Sequence, residues 1–259
     1  MSTAPKKALG QHFLVDPNIL TVIGRLARLD SDDVVLEIGP GHGILTRYLA
    51  THVGHVHAVE VDRSLEPALR DALVGCGNVH LVFGDAVRLD LGGLVPAPTK
   101  LVANLPYNVA TPLVVESLER LPTVATWCVM VQREVADRFF AAPSTKAYGA
   151  VSVLVGLHAR RTGFHPVART VFRPPPGVDS ALVAFERTAG PARPGAVRRV
   201  VEGAFSHRRK TLANALALAG VATREAAVEA LRAIGEEPSV RAEALEPTAF
   251  VALTEALGA

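Results

Sequence analysis

The chain has 259 residues, 49% hydrophobic and 20% charged, with no run of 18 or more apolar residues, so a disordered chain and a membrane span both fit badly. This length suits one main domain with a smaller appendage. The formal net charge of +2 hides a segregation, because residues 138–224 hold 14 Lys/Arg against three acids, a net of +11 that leaves −9 for the rest. Such an asymmetry points to a phosphate-binding surface rather than a site for a small neutral substrate. Cys76 and Cys128 form neither a metal clip nor a disulfide framework, and Met1 to Leu14 lacks an apolar leader core, so a cytoplasmic protein is expected.

In chain order, Asp16-Pro17-Asn18 opens a helix whose apolar positions Ile19, Ile23 and Leu26 share a face. Strand Val34–Ile38 runs into Gly39-Pro40-Gly41-His42-Gly43, and a helix follows on Ile44, Leu45, Tyr48 and Leu49. The alternation continues with strand Val56–Glu60 and helix Ser64–Val74, strand His80–Phe83, strand Leu101–Ala103 and helix Thr111–Leu118, then strand Trp127–Val131 and helix Glu134–Phe140. Alternation of this kind predicts an α/β fold with a doubly wound, mostly parallel sheet. Ala150–His158 is too short and too uniformly apolar for its period to decide between helix and strand. Ser180–Phe185 is a last strand, Ala189–Gly195 a linker, and Val197–Ala219, Arg224–Ile234 and Pro247–Leu257 are helices of a small all-helical domain.

A glycine-rich turn between the first strand and its helix lets a ligand approach backbone N–H groups closely. The spacing G-x-G-x-G, with Glu37 just before it and no third glycine where a dinucleotide fingerprint needs one, favours S-adenosylmethionine over NAD. Gly39 and Gly41 supply the close approach. Glu60 and Asp85, at the ends of the next two strands, suit the ribose hydroxyls and the adenine amino group.

At the end of strand Leu101–Ala103 stand Asn104-Leu105-Pro106-Tyr107. The exocyclic amine of a nucleobase is a poor nucleophile because its lone pair is delocalised into the ring. The Asn104 carboxamide oxygen and the Leu105 carbonyl can each accept one of its N–H bonds and turn the lone pair toward a methyl donor. Pro106 stiffens the corner and Tyr107 offers a ring for stacking. The base must be unpaired to enter. The nine histidines read as scattered and mostly structural, and no metal is expected.

Taken together, Lys6–Leu14, Leu36–Gly43, Asn104–Tyr107, Ser144–Gly149, Phe172–Ser180 and Phe205–Leu212 resemble the ribosomal RNA adenine dimethyltransferases over nearly the whole chain. The likeness is strongest to the bacterial members that dimethylate two adjacent adenosines in the 3′-terminal hairpin loop of small-subunit ribosomal RNA. It implies a Rossmann-like methyltransferase domain over 1–188, with residues 1–15 as an arm over S-adenosylmethionine, and a helical RNA-binding domain over 189–259. It also implies cofactor contacts from Gln11, His12, Leu14, Gly39, Glu60, Asp85 and Asn104, although His12 stands where many relatives have Asn. Phe172 becomes a second stacking face opposite Tyr107, Arg208-Arg209-Lys210 a grip on RNA phosphate, and the 30S particle the partner of a monomer. Two rivals share the fold: the macrolide-resistance type acting on large-subunit RNA, and a ribosome-assembly factor that binds RNA without obligatory chemistry.

Overall fold

The computed structural model describes residues 11–258, and by their contacts these form two compact units, one of residues 11–136 with 161–187 and one of residues 137–160 with 188–258. The segment Lys6–Gly10 lies outside the described residues.

The first unit opens with strand β1 (Phe13–Leu14) and helix α1 (Pro17–Ala27). The Asp16 carboxylate caps α1 by accepting the Asn18 N–H at 2.8 Å, and Pro17 occupies the first turn, where no N–H is needed. Ile19, Leu20, Ile23 and Ala27 are the buried stripe. There follow β2 (Val34–Ile38), α2 (Ile44–Ala50), β3 (His55–Glu60), α3 (Glu66–Ala72), β4 (Val79–Phe83), β5 (Lys100–Asn104), α4 (Ala110–Arg120), β6 (Thr126–Gln132) and α5 (Arg133–Phe139). After α6 (Ala150–His158) come β7 (Ala159–Val167), β8 (Phe172–Arg173) and β9 (Ser180–Arg187).

Seven strands make one sheet in the order β4-β3-β2-β5-β6-β9-β7. The strands from β4 to β6 are parallel and β9 runs antiparallel to β6. The expected doubly wound, mostly parallel sheet is therefore present. The chain winds outward from β2 to β4, then returns to place β5 on the other side of β2. This reversal opens a crevice beyond the carboxyl ends of β2 and β5, where ligands of such sheets bind.

Three local features depart from the sequence reading. β7 was not anticipated, because Arg160, Arg161, Gly163 and Pro166 interrupt any apolar pattern; an edge strand tolerates such residues since one side pairs with nothing. Residues 13–14 and 172–173 pair as a separate two-stranded ribbon, β1 against β8, too short to show a period. The histidines are not all scattered. Parallel pairing sets His57 opposite His80, and His55 lies two residues from His57 on the same face, so three imidazoles meet at the β4 edge of the sheet.

One of the basic residues counted above is structural. Arg187 donates from Nε, Nη1 and Nη2 to the carbonyls of Val124, Leu118 and Leu121 at 2.8, 2.9 and 2.8 Å, and its guanidinium lies over the Trp127 ring. It satisfies the Leu118 carbonyl in the last turn of α4 and two carbonyls of the turn that follows, while Trp127 is held by its own bond to Ser117.

In the second unit the undecided segment 150–158 is α6, started by Ser152, whose Oγ accepts the Gly149 N–H at 3.1 Å and donates to the Arg138 carbonyl. With it are α7 (Pro194–Phe205), α8 (Leu212–Leu218), α9 (Arg224–Ala233) and α10 (Pro247–Ala256). Tyr148, fully buried, donates to the Leu245 carbonyl at 2.6 Å, and the Ser144 N–H donates to the Glu243 backbone carbonyl at 2.7 Å. These bonds explain why residues 137–160 belong with the helices beyond 188. The helix expected over Val197–Ala219 is broken between Phe205 and Leu212: the Ser206 hydroxyl bonds back to the Gly203 carbonyl and the chain turns, leaving Arg208, Arg209 and Lys210 exposed.

Candidate active site

The crevice at the switch point is a cleft lined by the loop after β2, the corner after β5, Glu60 and Val61, and residues 11–14 of the arm. Its floor is set by the glycines. Gly39 (φ +77°) donates to the Val59 carbonyl at 2.9 Å. Gly41 has φ +59°, and a Cβ there would stand 2.9 Å from the Phe13 ring, so only glycine lets the arm lie against the loop.

Glu60, buried to 4% exposure, holds this loop rather than merely facing it: Oε2 accepts the Gly41 N–H at 3.1 Å and Oε1 the Asp62 N–H at 2.8 Å. Burial raises its pKa above the ordinary carboxylate range, opposed by those N–H donors. Asp62 in turn accepts from Gln11 Nε2 at 3.0 Å, so arm and loop are linked through two acids. Asp62 was missed in the sequence; an acid directly beyond a strand end was the only signal for it.

Glu37 also lines the cleft. It is 1% exposed, its Oε2 has no hydrogen-bond partner among the described residues, and burial, with the Glu60 carboxylate adding to it, pushes its pKa up to about 8. A buried, uncompensated carboxyl oxygen on a glycine-floored cleft fits a ligand that brings positive charge.

The corner after β5 is rigid. The Leu105 N–H donates to Met130 at 3.1 Å and the Val109 N–H closes a turn on the Pro106 carbonyl at 3.1 Å. Asn104 Nδ2 donates to the His12 carbonyl at 3.1 Å; because that carbonyl can only accept, the amide orientation is decided and Oδ1 is left as the acceptor. His12 itself bonds through Nδ1 to the Pro174 carbonyl at 2.9 Å, which makes Nδ1 the protonated nitrogen. Tyr107 is fixed by a 2.5 Å bond between its hydroxyl and Ser180 Oγ, and burial raises its pKa.

The cleft thus unites Gln11, His12, Leu14, Gly39, Gly41, Glu60, Asn104, Leu105, Pro106 and Tyr107. Asp85 lies in an adjoining pocket that shares Gly39, Glu60, Val61 and Pro106 with it, and there it accepts the Val87 N–H and faces Arg88 at 3.5 Å. Phe172 is not brought in as an open stacking face. It is 1% exposed in the core cluster with Leu14, Val171 and Leu182, because its strand pairs with Leu14. Arg208 donates from its guanidinium to the Tyr148 carbonyl at 3.1 Å and faces Glu243 at 3.6 Å while its side chain stays half exposed, and Arg209 and Lys210 are exposed beside it. The +11 segment is divided between the two units.

The family model described as ribosomal RNA adenine dimethylase matches residues 3–252. A ribosomal RNA small subunit methyltransferase A of Rubrobacter xylanophilus is 48% identical over 96% of this chain and 94% of its own length, and one of Pelotomaculum thermopropionicum is 43% identical over 97% and 91%. Among solved structures, a dimethyladenosine transferase of Plasmodium falciparum shares the fold with a TM-score of 0.79 at 24% identity, covering 93% of this chain and 96% of that one. The 23S rRNA methyltransferase ErmE matches with a TM-score of 0.67 at 29% identity, covering 95% and 100%.

Proposed function

The chain belongs to the ribosomal RNA adenine dimethylase family, and from that premise we propose that it dimethylates the 6-amino groups of two adjacent adenosines in the 3′-terminal hairpin loop of small-subunit ribosomal RNA, late in assembly of the 30S particle. It is an RNA-modifying methyltransferase whose methyl donor is S-adenosylmethionine. The observation that carries the reading is Asn104: its amide is oriented by His12 so that Oδ1 serves as an acceptor in the same cleft as the glycine loop. Two relatives named for the small subunit are 48% and 43% identical to this chain, against 29% for the large-subunit enzyme.

S-adenosylmethionine supplies a methyl group on a positively charged sulfur. In this reading Glu60 and Asp85 hold the ribose and adenine, the Gly39–Gly41 loop lies against the cofactor, and Gln11, His12 and Leu14 close over it. Glu37 offers its unpaired oxygen to positive charge. Asn104 Oδ1 and the Leu105 carbonyl accept the two N–H bonds of the adenine amine, and Tyr107, held by Ser180, stacks on the unpaired base. No strong base is needed, because the nitrogen becomes acidic once alkylated and gives its proton to water.

The test is to incubate the purified protein and S-adenosylmethionine with isolated small and large subunits from a strain lacking the modification. The expected result is two dimethyladenosines in small-subunit RNA and none in large-subunit RNA. Methylation of the large subunit alone would transfer the assignment to the rival type.

Two further outcomes belong to this reading. Glu60→Gln, which cannot accept two N–H bonds at both ends of its head group, is expected to diminish the rise in melting temperature that S-adenosylmethionine confers; an undiminished shift in a calorimetric scan would remove Glu60 from the site. For RNA, log K should fall linearly with log salt, and Arg209→Ala with Lys210→Ala should flatten that slope by roughly 0.7 to 0.9 per lost phosphate contact. Arg208 is left intact because of its bond to Tyr148. An unchanged slope would make the segment a solvated turn only. The protein is taken to act as a cytoplasmic monomer, and among the described residues no helix is long and apolar enough to cross a membrane.

A further inference from the structure

Away from the cleft, at the β4 edge of the sheet, His55, His57 and His80 each present one ring nitrogen, and the three nitrogens lie within 4.8 Å of one another. The arrangement follows from two rules of strand geometry. Residues two apart share a face, which pairs His55 with His57, and the parallel register sets His57 beside His80.

The tautomers can be assigned. His57 Nε2 lies 2.8 Å from the Pro96 carbonyl, which can only accept, so Nε2 carries the proton and Nδ1 presents a bare lone pair. A backbone carbonyl holding the far N–H of an imidazole is the outer-shell partner that fixes a metal-binding histidine. The lone pair on Nδ1 faces His80 Nδ1 at 3.2 Å, so without a metal the proton between them belongs to His80. Two nitrogens each about 2.0–2.1 Å from a tetrahedral ion stand roughly 3.3–3.4 Å apart, close to this separation. His55 stacks edge-on to His57 with ring centroids 4.4 Å apart, and its Nε2 is buried without a hydrogen-bond partner among the described residues.

We infer that His55, His57 and His80 form a binding site for one divalent transition metal of the imidazole-preferring class, with zinc as the natural probe. Three imidazoles and a water complete a tetrahedral shell. The ion takes the place of the proton between His57 and His80, which passes to solvent, and a ring rotation brings in the third nitrogen. His57 is fully buried and His80 is exposed, so the ion ties the outermost strand β4 to its neighbour β3 and is reached from the His80 side. The site is separate from the cleft: His57 and Glu60 are three residues apart on one strand, about 10 Å.

The experiment uses tag-free full-length protein, freed of metal by chelation and then dialysed against zinc. One zinc per chain and a raised melting temperature are expected. His80→Ala, at an exposed position, should weaken zinc binding at least about tenfold, since losing a ligand costs no less than losing a ligand's outer-shell partner. His207→Ala, at an exposed histidine in the other unit, should bind like wild type. Cobalt should give visible absorption bands of a tetrahedral nitrogen site that His80→Ala abolishes. Methyl transfer by His80→Ala should be unchanged. Failure of the wild type to take up zinc stoichiometrically, or equal uptake by His80→Ala, would overturn the assignment and leave a hydrogen-bonded imidazole cluster.

Discussion

Asn104→Ala is expected to lower kcat for methyl transfer on the order of 10² to 10³, the size of effect seen when one polar group aimed at developing charge is removed from an active site. The side chain has two tasks at its two ends. Nδ2 anchors the His12 carbonyl, and Oδ1 is the acceptor for the adenine amine. Alanine removes both, so the KM for S-adenosylmethionine should rise along with the loss of kcat. Asn104→Asp separates the tasks: the carboxylate still accepts from the amine but cannot donate to His12, so at saturating cofactor it should retain more turnover than alanine. RNA affinity should stay near wild type in both, because the exposed basic residues are untouched. Single-turnover methyl incorporation measured beside filter binding decides the matter, and near-normal turnover by the alanine variant would end the assignment.

The second large effect concerns stability and the buried Glu37. Its native pKa of about 8 lies above the unfolded value, so the folded state holds a proton that the unfolded state has already released. Stability attributable to this group is therefore fully present below about pH 4.5 and is lost as pH rises to about 8, where the native carboxyl must ionise in a dry site. Glu37→Gln is neutral throughout. Its melting temperature should exceed the wild type's by an amount that grows across that window, reaching roughly 3–5 kcal/mol in stability above pH 8 at 1.36 kcal/mol per pKa unit. S-adenosylmethionine, by bringing a positive charge to the ionised carboxylate, should narrow the gap at high pH. Thermal melts of both proteins from pH 5 to 9 provide the check, and a difference that does not vary with pH would show that Glu37 does not titrate in this range.

The parts of the molecule that could be read from residues alone are those where one physical requirement dominates a short stretch. Strands β2, β3, β5 and β6 are buried on both faces and so are written as largely apolar runs, and the Gly39–Gly43 turn is legible because a positive φ excludes most other residues. Asn104-Leu105-Pro106-Tyr107 is legible because chemistry and position coincide at a strand end. What escaped depends on partners distant in sequence. β7 is an edge strand with Arg, Gly and Pro in it, and β1 and β8 are two residues each. Phe172 carries no mark that its ring is packed under Leu14, and nothing near Arg208 announces that Tyr148 will claim its guanidinium. His80 is separated from His57 by 23 residues, and only strand register makes them neighbours.

The pairing of β1 with β8 also has a consequence in time. Phe13 and Leu14 leave the ribosome well before Arg173 and Phe172, with Val171, whose carbonyl accepts the Val15 N–H, all of which are made about 160 residues later. At roughly 5–20 residues per second, the arm waits on the order of 8–30 s for the strand that secures it. Until then His12 lacks Pro174, and Tyr107 lacks the Ser180 hydroxyl that orients it. A nascent chain can wind β2 to β6 and form the glycine floor, but it has no closed cleft. The enzyme that modifies ribosomal RNA therefore completes its cleft only once translation has passed residue 180, and truncation before that point should weaken its hold on the cofactor and on the base.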